Sequence, residues 1–349
     1  MESFATIPMQ WVGPIKIAGK EVNEEVNVPL ATYETPMWAS TNRGAKVSRM
    51  CGGIHTTVIS DTMARSFVVQ APSAARASEI SQQLQKRHHD INEAVKFSSR
   101  FAQFQSLDAH IVGNLLYLRL QIQPGDASGH NMVTKAADQV MQWLLGDYPE
   151  LRYVSISANF CTDKKVSAIN SLGGRGKYVV AESIISRELC HKLLKTTPEA
   201  IVDCHIKKNL IGSTIAGSLC SANAHYANQL LAVYLATGQD AANIVEGSQG
   251  ITHAECRGED LYFSVTLPNL IMGTVGNGKH LGFVQENLKK LGCLEEREPG
   301  GNARRLAIIT AAAVHCVELS LMAALTNPGE LMRAHLTLER HAAQAGKRS

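Results

Sequence analysis

The period of the apolar positions changes along this chain, and the changes set a middle segment apart from what flanks it. Between Arg65 and Phe160 the pattern predicts strand, helix, strand, strand, helix, strand. SFVVQAP is a short β-rich run closed by proline. From Ser73 to Arg100, Ala77, Ile80, Leu84 and Ile91 recur at helical spacing among polar residues. DAHIVG and LLYLRLQIQ alternate as the two arms of a hairpin, with Gly113-Asn114 as its turn. PGDASGHN reads as a polar loop, HNMVTKAADQVMQWLL as a helix and RYVSISANF as the last strand.

This βαββαβ order is that of a ferredoxin-like unit, an open antiparallel sheet with helices on one face. The flanking segments, 1–64 and 161–349, alternate long helices with short strands. Ala222 to Thr237 is helical and stops at Gly238, and Asn302 is placed to cap a second long helix, ARRLAIITAAAVHCVELSLMAALT. The expected fold is α+β: a large helix-rich domain, 1–64 and 161–349, interrupted by a small ferredoxin-like domain, 65–160. The longest apolar stretch, Leu306 to Leu325, is long enough to span a bilayer. It contains His315, Glu318 and Ser320 and follows Arg304 and Arg305, which fits a buried amphipathic helix better.

Composition narrows the class. With 349 residues, 45% hydrophobic and 19% charged, the chain can bury one large core or two smaller ones. A net charge of +3 with scattered basic residues is no nucleic-acid footprint. The eight cysteines are spread without a C-x-x-C pair or a zinc-finger histidine, as expected of free thiols in a reducing cytoplasm and of a protein without a metal. MESFATIPMQWVG has neither the basic nor the apolar region of a signal peptide.

Two glycine-rich runs tempt a nucleotide-binding reading and fail it. Gly273, Gly276 and Gly278 follow TLPNLIM, the wrong context for a strand–GxGxxG–helix, and read as a backbone-packing loop. GGRGK, ending at Lys177, lacks Walker spacing. More informative is SISANFCTDKKVSAINSLGGRGK, residues 155–177, where Asp163, Lys164 and Lys165 sit between an apolar strand and a glycine cluster. One carboxylate and two ammonium groups there suit an anionic substrate and a developing oxyanion. Glu34 before Pro36, Asp240 after Gly238, and His335 and His341 near the C-terminus each have an ordinary explanation singly: a cap, a helix start, exposed positions.

Taken together, the motifs PLATYE, ASTNRG, GDASGHNM, NFCTDKKVSAIN, GRGK, KKNLIGS, NAHYAN, GQDAAN, EDLYFSVTLPNL, GTVGNG, ARRLA and ELSLMAAL resemble, in order and over nearly the whole chain, the catalytic domain of class I hydroxymethylglutaryl-CoA reductase. The resemblance implies that Glu34, Lys164, Asp240 and His335 are catalytic. It implies that Arg65, Ser157, Asp163, Lys165, Lys208 and Asn228 hold the hydroxymethylglutaryl group, and that His225 approaches the thioester. For NADPH it implies Ser99, Arg100, Asp126, Ser128, Gly129 and Asn131, on the small domain. The implied reaction is the four-electron reduction of hydroxymethylglutaryl-CoA to mevalonate and CoA by two NADPH, without a metal.

That chemistry explains the residue types. Each hydride addition builds charge on a carbonyl oxygen, which a fixed ammonium at Lys164 stabilises; Asp240 would orient it and keep it cationic. His335 suits protonation of the CoA thiolate, and Glu34, if burial raises its proton affinity, suits the final alkoxide. The resemblance further implies a cytoplasmic homodimer or dimer of dimers, with no membrane domain, in which Lys164 comes from the subunit opposite Glu34 and Asp240.

The chain departs from the family pattern in three places. Ser128 and His130 stand where the class carries methionines, the family segment before IPMQWVGPIKI is missing, and Arg340 is followed by His341 rather than a regulatory serine. Two other readings share the motifs: an NADH-linked enzyme running the reaction backwards, and a silent CoA- or nucleotide-binding relative.

Overall fold

The computed structural model describes residues 5–333, except Leu219, together with Leu336; His335 and His341 lie outside the described residues. The chain opens with an antiparallel pair, β1 (Met9–Ala18) and β2 (Asn23–Ala31), whose inward positions Val12, Ile15, Ile17, Val26, Val28 and Leu30 are buried. Pro36 then starts α1 (Pro36–Met50), because its fixed φ and missing N–H suit the first helical turn.

The next strand was legible only in its second half. β3 (His55–Gln70) begins eleven positions before the SFVVQAP run, since HTTVISDTMAR mixes polar and apolar residues without a clean period. That strand is central to both halves of the molecule. His55–Thr62 pairs with β7 (Gly176–Ile185), whereas Met63–Gln70 pairs with β5 (Leu115–Gln123) and, on its other side, β6 (Arg152–Ile156). β4 (Gln103–Val112) forms the hairpin with β5, Val112 facing Leu115 across Gly113-Asn114. The antiparallel order β6-β3-β5-β4 is the ferredoxin-like one, and beyond β7 the sheet continues to β9 (Asp260–Leu270) and β8 (Ile251–Arg257).

Two helices stand where one was expected. α2 (Ala74–Leu84) and α3 (His88–Ser98) are separated at Gln85–Arg87, and the break is invisible to periodicity because Leu84 and Ile91, seven positions apart, are both buried. With α4 (His130–Asp147) they enclose a core of Phe67, Val69, Leu118, Leu120, Ile80 and Val140. A second, larger core lies on the remaining elements.

In that larger part, α5 (Ala168–Gly173) precedes β7, and a helical run follows it: α6 (Arg187–Leu189), α7 (Pro198–Cys204) and α8 (Ser213–Ile215), joined by π-helical stretches at Cys190–Leu194 and His205–Gly212. α9 (Tyr226–Ala236) starts later than the expected Ala222, because Ala222 pairs with Ile251 and the N–H groups of Ala224 and His225 donate to Glu318. α10 (Ile244–Gly247) and α11 (Gly282–Lys290) lead to α12 (Gly301–Leu325). Asn302 does not cap α12. Gly300, at φ +87°, holds the cap position, and the acceptor is Asp126, whose carboxylate takes the N–H groups of Gly300 (3.1 Å) and Ala303 (2.9 Å). Nor is α12 amphipathic: it is the one described helix apolar and long enough to cross a membrane, and it is buried inside the protein on nearly all sides.

α1 crosses α12 where Gly44 meets Cys316, so closely that a Cβ on Gly44 would fall 2.1 Å from the Cys316 carbonyl oxygen. Gly44→Ala is expected to cost about 1–3 kcal/mol of unfolding free energy. The readout is the denaturant midpoint at unchanged slope; an unaltered midpoint would show that the two helices part freely there.

Candidate active site

The segment after β6 is a strained loop held by buried charge. Asn159, Thr162 and Lys164 all have positive φ (56°, 44° and 55°) without being glycine. Cys161 N–H donates to Ser66 Oγ (2.9 Å), Ser167 exchanges two hydrogen bonds with Gln249, and Lys164 N–H donates to Glu246 Oε1 (3.1 Å). Behind the loop the fully buried Arg175 Nη1 lies 2.8 Å from Glu246 Oε1 and 2.9 Å from Asp163 Oδ1. Burial pushes the Glu246 carboxyl above its ordinary range, against the opposing Lys164 N–H.

The loop delivers Lys164 into a cavity of about 560 Å³ between α4, the Gly238–Asp240 turn and the loop after β9. Lys164 Nζ is 2.8 Å from Asp240 Oδ2, and this hydrogen bond raises the ammonium's pKa above its usual value, so it stays charged. Burial would raise the Asp240 carboxyl, but Lys164 and the Ala242 N–H outweigh it and hold it below the usual range. Arg65, donating from Nε to Thr134 Oγ1 (2.9 Å), lies 3.7 Å from Asp163 Oδ2 across the same cavity. Ser128, Gly129 and Asn131 line it at the N-terminus of α4, where Gly129 (φ +93°) provides no side-chain cap. His130 Nδ1 is 3.3 Å from Ser128 Oγ, while its Nε2 is buried and has no partner among the described residues. Burial, then the field of Arg175, lowers its pKa to about 4, so the ring is neutral at pH 7.

Glu34, Asn228 and His225 line a different cavity, of about 420 Å³, that shares no lining residue with the first. Asn228 Nδ2 donates to Glu34 Oε2 (2.6 Å), His225 Nε2 lies 3.2 Å from the Val317 carbonyl, and Arg43 pairs with Glu330 (2.6 Å).

A family model described as hydroxymethylglutaryl-coenzyme A reductase matches residues 2–340. The chain belongs to the hydroxymethylglutaryl-CoA reductase family. The 3-hydroxy-3-methylglutaryl-coenzyme A reductase of Pyrococcus abyssi is 44% identical over 343 residues, 97% of this chain and 84% of that protein. The enzyme of the same name from Aeropyrum pernix is 44% identical over 336 residues, 96% of this chain and 79% of the other. The fold matches that of the class II reductase from Streptococcus pneumoniae solved bound to NADPH in open conformations, at a TM-score of 0.74 and 18% identity, covering 93% of this chain and 86% of that one.

Measured against the family motifs, the structure redistributes the expected residues. Lys164 and Asp240 meet within one chain, which corrects the expectation that they come from opposite subunits. The Asp126 carboxylate is engaged with the start of α12 and does not line the cavity. Ser99 and Arg100 lie at the end of α3, with Arg100 over the Phe101 ring, away from either cavity. Lys208 is exposed on the π-helical stretch, Lys165 Nζ folds onto the Asp163 carbonyl (3.1 Å), and Ser157 Oγ faces Cys161 Sγ (3.4 Å). Arg175, Glu246, Gln239 and Lys279 went unnoticed. Arg175 stands inside GRGK and Lys279 directly after the Gly276-x-Gly278 pair, so a basic residue following clustered glycines was the available signal.

Replacing Asp240 by Asn removes the main cause of the raised Lys164 pKa. The Lys164 titration, followed by NMR of ¹³C-methylated lysines, is expected to move to lower pH; a titration identical to the parent's would show that Asp240 does not hold the ammonium.

Proposed function

We propose that the protein reduces hydroxymethylglutaryl-CoA to mevalonate and CoA at the expense of two NADPH. The carrying observation is the Lys164–Asp240 pair, 2.8 Å apart at the mouth of a cavity that also holds Arg65 and the uncapped start of α4.

The residues present suit a dinucleotide. A helix N-terminus without a side-chain cap offers backbone N–H groups to a diphosphate, and α4 opens onto the cavity through Gly129, where a Cβ would strike Pro124 Cβ at 2.8 Å. Asn131 and Arg65 stand beside it, and the buried Nε2 of His130 has no partner among the described residues, so it can bond a ligand. NADPH, when bound, supplies the hydride for each reduction.

The chain's own groups do the rest. Lys164 presents a permanent ammonium to the oxygen on which charge develops, and Asp240 fixes its direction so that little reorganisation is needed. Asp163, held by Arg175 and facing Arg65, positions the donors that meet the substrate's carboxylate and hydroxyl. Glu34, anchored by Asn228, and His335 are the proton donors to the alkoxide and the thiolate in this reading. We further read 65–160 as an inserted NADP(H)-binding domain and 1–64 with 161–349 as the substrate and dimerisation domain. The assembly is a homo-oligomer, because Glu34 and Lys164 occupy separate cavities of one chain and a second copy is the economical way to bring them together. The cytoplasm is the compartment that suits eight free cysteines.

NADPH oxidation followed at 340 nm with hydroxymethylglutaryl-CoA is expected to consume two NADPH per CoA released. Lys164→Ala is expected to lower kcat by about 10²–10³-fold, the magnitude of a lost oxyanion donor. Oxidation that persists in the variant at the parent rate would contradict the assignment.

A further inference from the structure

The loop after β9 touches the Gly238–Asp240 turn at a seam that only glycine allows. A Cβ on Gly238 (φ +64°) would fall 2.7 Å from the Gly278 carbonyl oxygen, and one on Gly278 (φ +80°) 2.8 Å from that of Gly238. Gln239 stitches the same seam: its Oε1 accepts from Gly273 N–H (3.0 Å), and its Nε2 donates to the carbonyls of Gly273 (3.0 Å) and Thr237 (2.9 Å).

Lys279 completes it. Its side chain is buried in the cavity wall, and its ammonium donates to the Gly238 carbonyl, two residues before Asp240. No ion pair among the described residues includes it, so a buried ammonium rests on a single carbonyl and on the field of Asp240. Burying a charge on so little is costly, and nothing in the core requires it at this place.

We propose that Lys279 is a positioning residue of the reductase site, its ammonium clamping the Gly238–Asp240 turn so that Asp240 is held where it orients Lys164. The inference rests on the function proposed above. The clamp is charge-assisted, and so strongest, only while protonated, and burial lowers the Lys279 pKa to about 8.

Lys164, Asp240 and His130 do not change charge over the same range, whereas the Cys161 thiol near them, below its ordinary value, is a second group that can. Lys164 is held above its usual value and Asp240 below, His130 is neutral above about 4, and Arg65 and Asp163 form the opposite wall. Cys161, whose thiol burial would raise but Ser157 and Ser66 pull below its ordinary value, sits behind that wall beside Arg65. Activity should therefore fall as pH rises through about 8. Stability runs the other way: a lysine whose folded pKa is depressed disfavours the folded state while charged. Its burden is relieved as pH rises from about 8 toward the ordinary lysine value, so the alkaline loss of activity is not unfolding.

The test is the pH profile of kcat and KM with NADPH and hydroxymethylglutaryl-CoA for the parent, Lys279→Arg and Lys279→Met, with the Lys164 NMR titration run in parallel. Lys279→Arg is expected to keep activity and carry the alkaline limb to higher pH, because guanidinium stays charged. Lys279→Met is expected to lower kcat at neutral pH by about ten- to a hundredfold with KM little changed, and to erase the limb. A Met variant with the parent's kcat and limb would overturn the proposal, as would an Arg variant whose limb stays in place, a result that holds even if the Met variant does not fold. If the parent itself shows no turnover, the functional reading fails, and the NMR arm still decides: the Lys164 methyl resonance, read at pH 7 where Lys279 is charged, moves in Lys279→Met and stays in Lys279→Arg if the clamp exists, and is unmoved in both if it does not.

Discussion

A guanidinium with no access to water is the constraint on which the site depends. Arg175 is fully buried, and a charge there is tolerable only if paired and hydrogen-bonded. Its partners are Asp163, on the loop after β6, and Glu246, on α10, so pairing it joins two segments that are distant in sequence. Glu246 passes the constraint on by accepting the N–H of Lys164, and the loop gives up ordinary backbone geometry at Asn159, Thr162 and Lys164 to reach it. Strain of this kind persists where surrounding contacts over-determine it. The direction of the Lys164 side chain is thus set from behind, before any substrate arrives.

From the front it is set by Asp240. The turn that carries Asp240 is fixed by glycine contacts and by Gln239 rather than by a long helix, which places rigidity where the chemistry needs it. Three cations, Arg65, Lys164 and Lys279, face two carboxylates, Asp163 and Asp240, in one cavity. The imbalance favours an anionic ligand, while each carboxylate keeps a cation pointing inward. Glu34 and Asn228 pair over a separate cavity, which the proposed function makes the complementary half.

Much of this was legible in the sequence because the motifs are contiguous. PLATYE, TDKK and GQDAAN each carry an expected site residue on a short segment whose neighbours are part of the pattern, and the family followed from their order. The βαββαβ order was legible because most of its strands and helices alternate cleanly. What escaped depends on contacts between distant segments. The polar first half of β3 is a strand because β7 lies beside it, not because of its own period. Asp126 looks like a ligand residue in GDASGHNM, yet it is consumed by the start of α12. Arg175 and Lys279 are ordinary basic residues in sequence, and only their burial makes them exceptional.

The central claim is that Glu34 and Lys164 of different copies complete one site, and the most direct measurement is activity in mixed assemblies. Glu34→Ala and Lys164→Ala chains, each inactive alone, are co-expressed with different affinity tags and the doubly tagged species isolated. In a dimer every mixed molecule has one site with both residues intact, so the unfractionated co-expressed pool should recover roughly a quarter of parental activity and the purified mixed species roughly half. Mixed species that form and remain inactive would contradict the account, and would place the whole site within one chain.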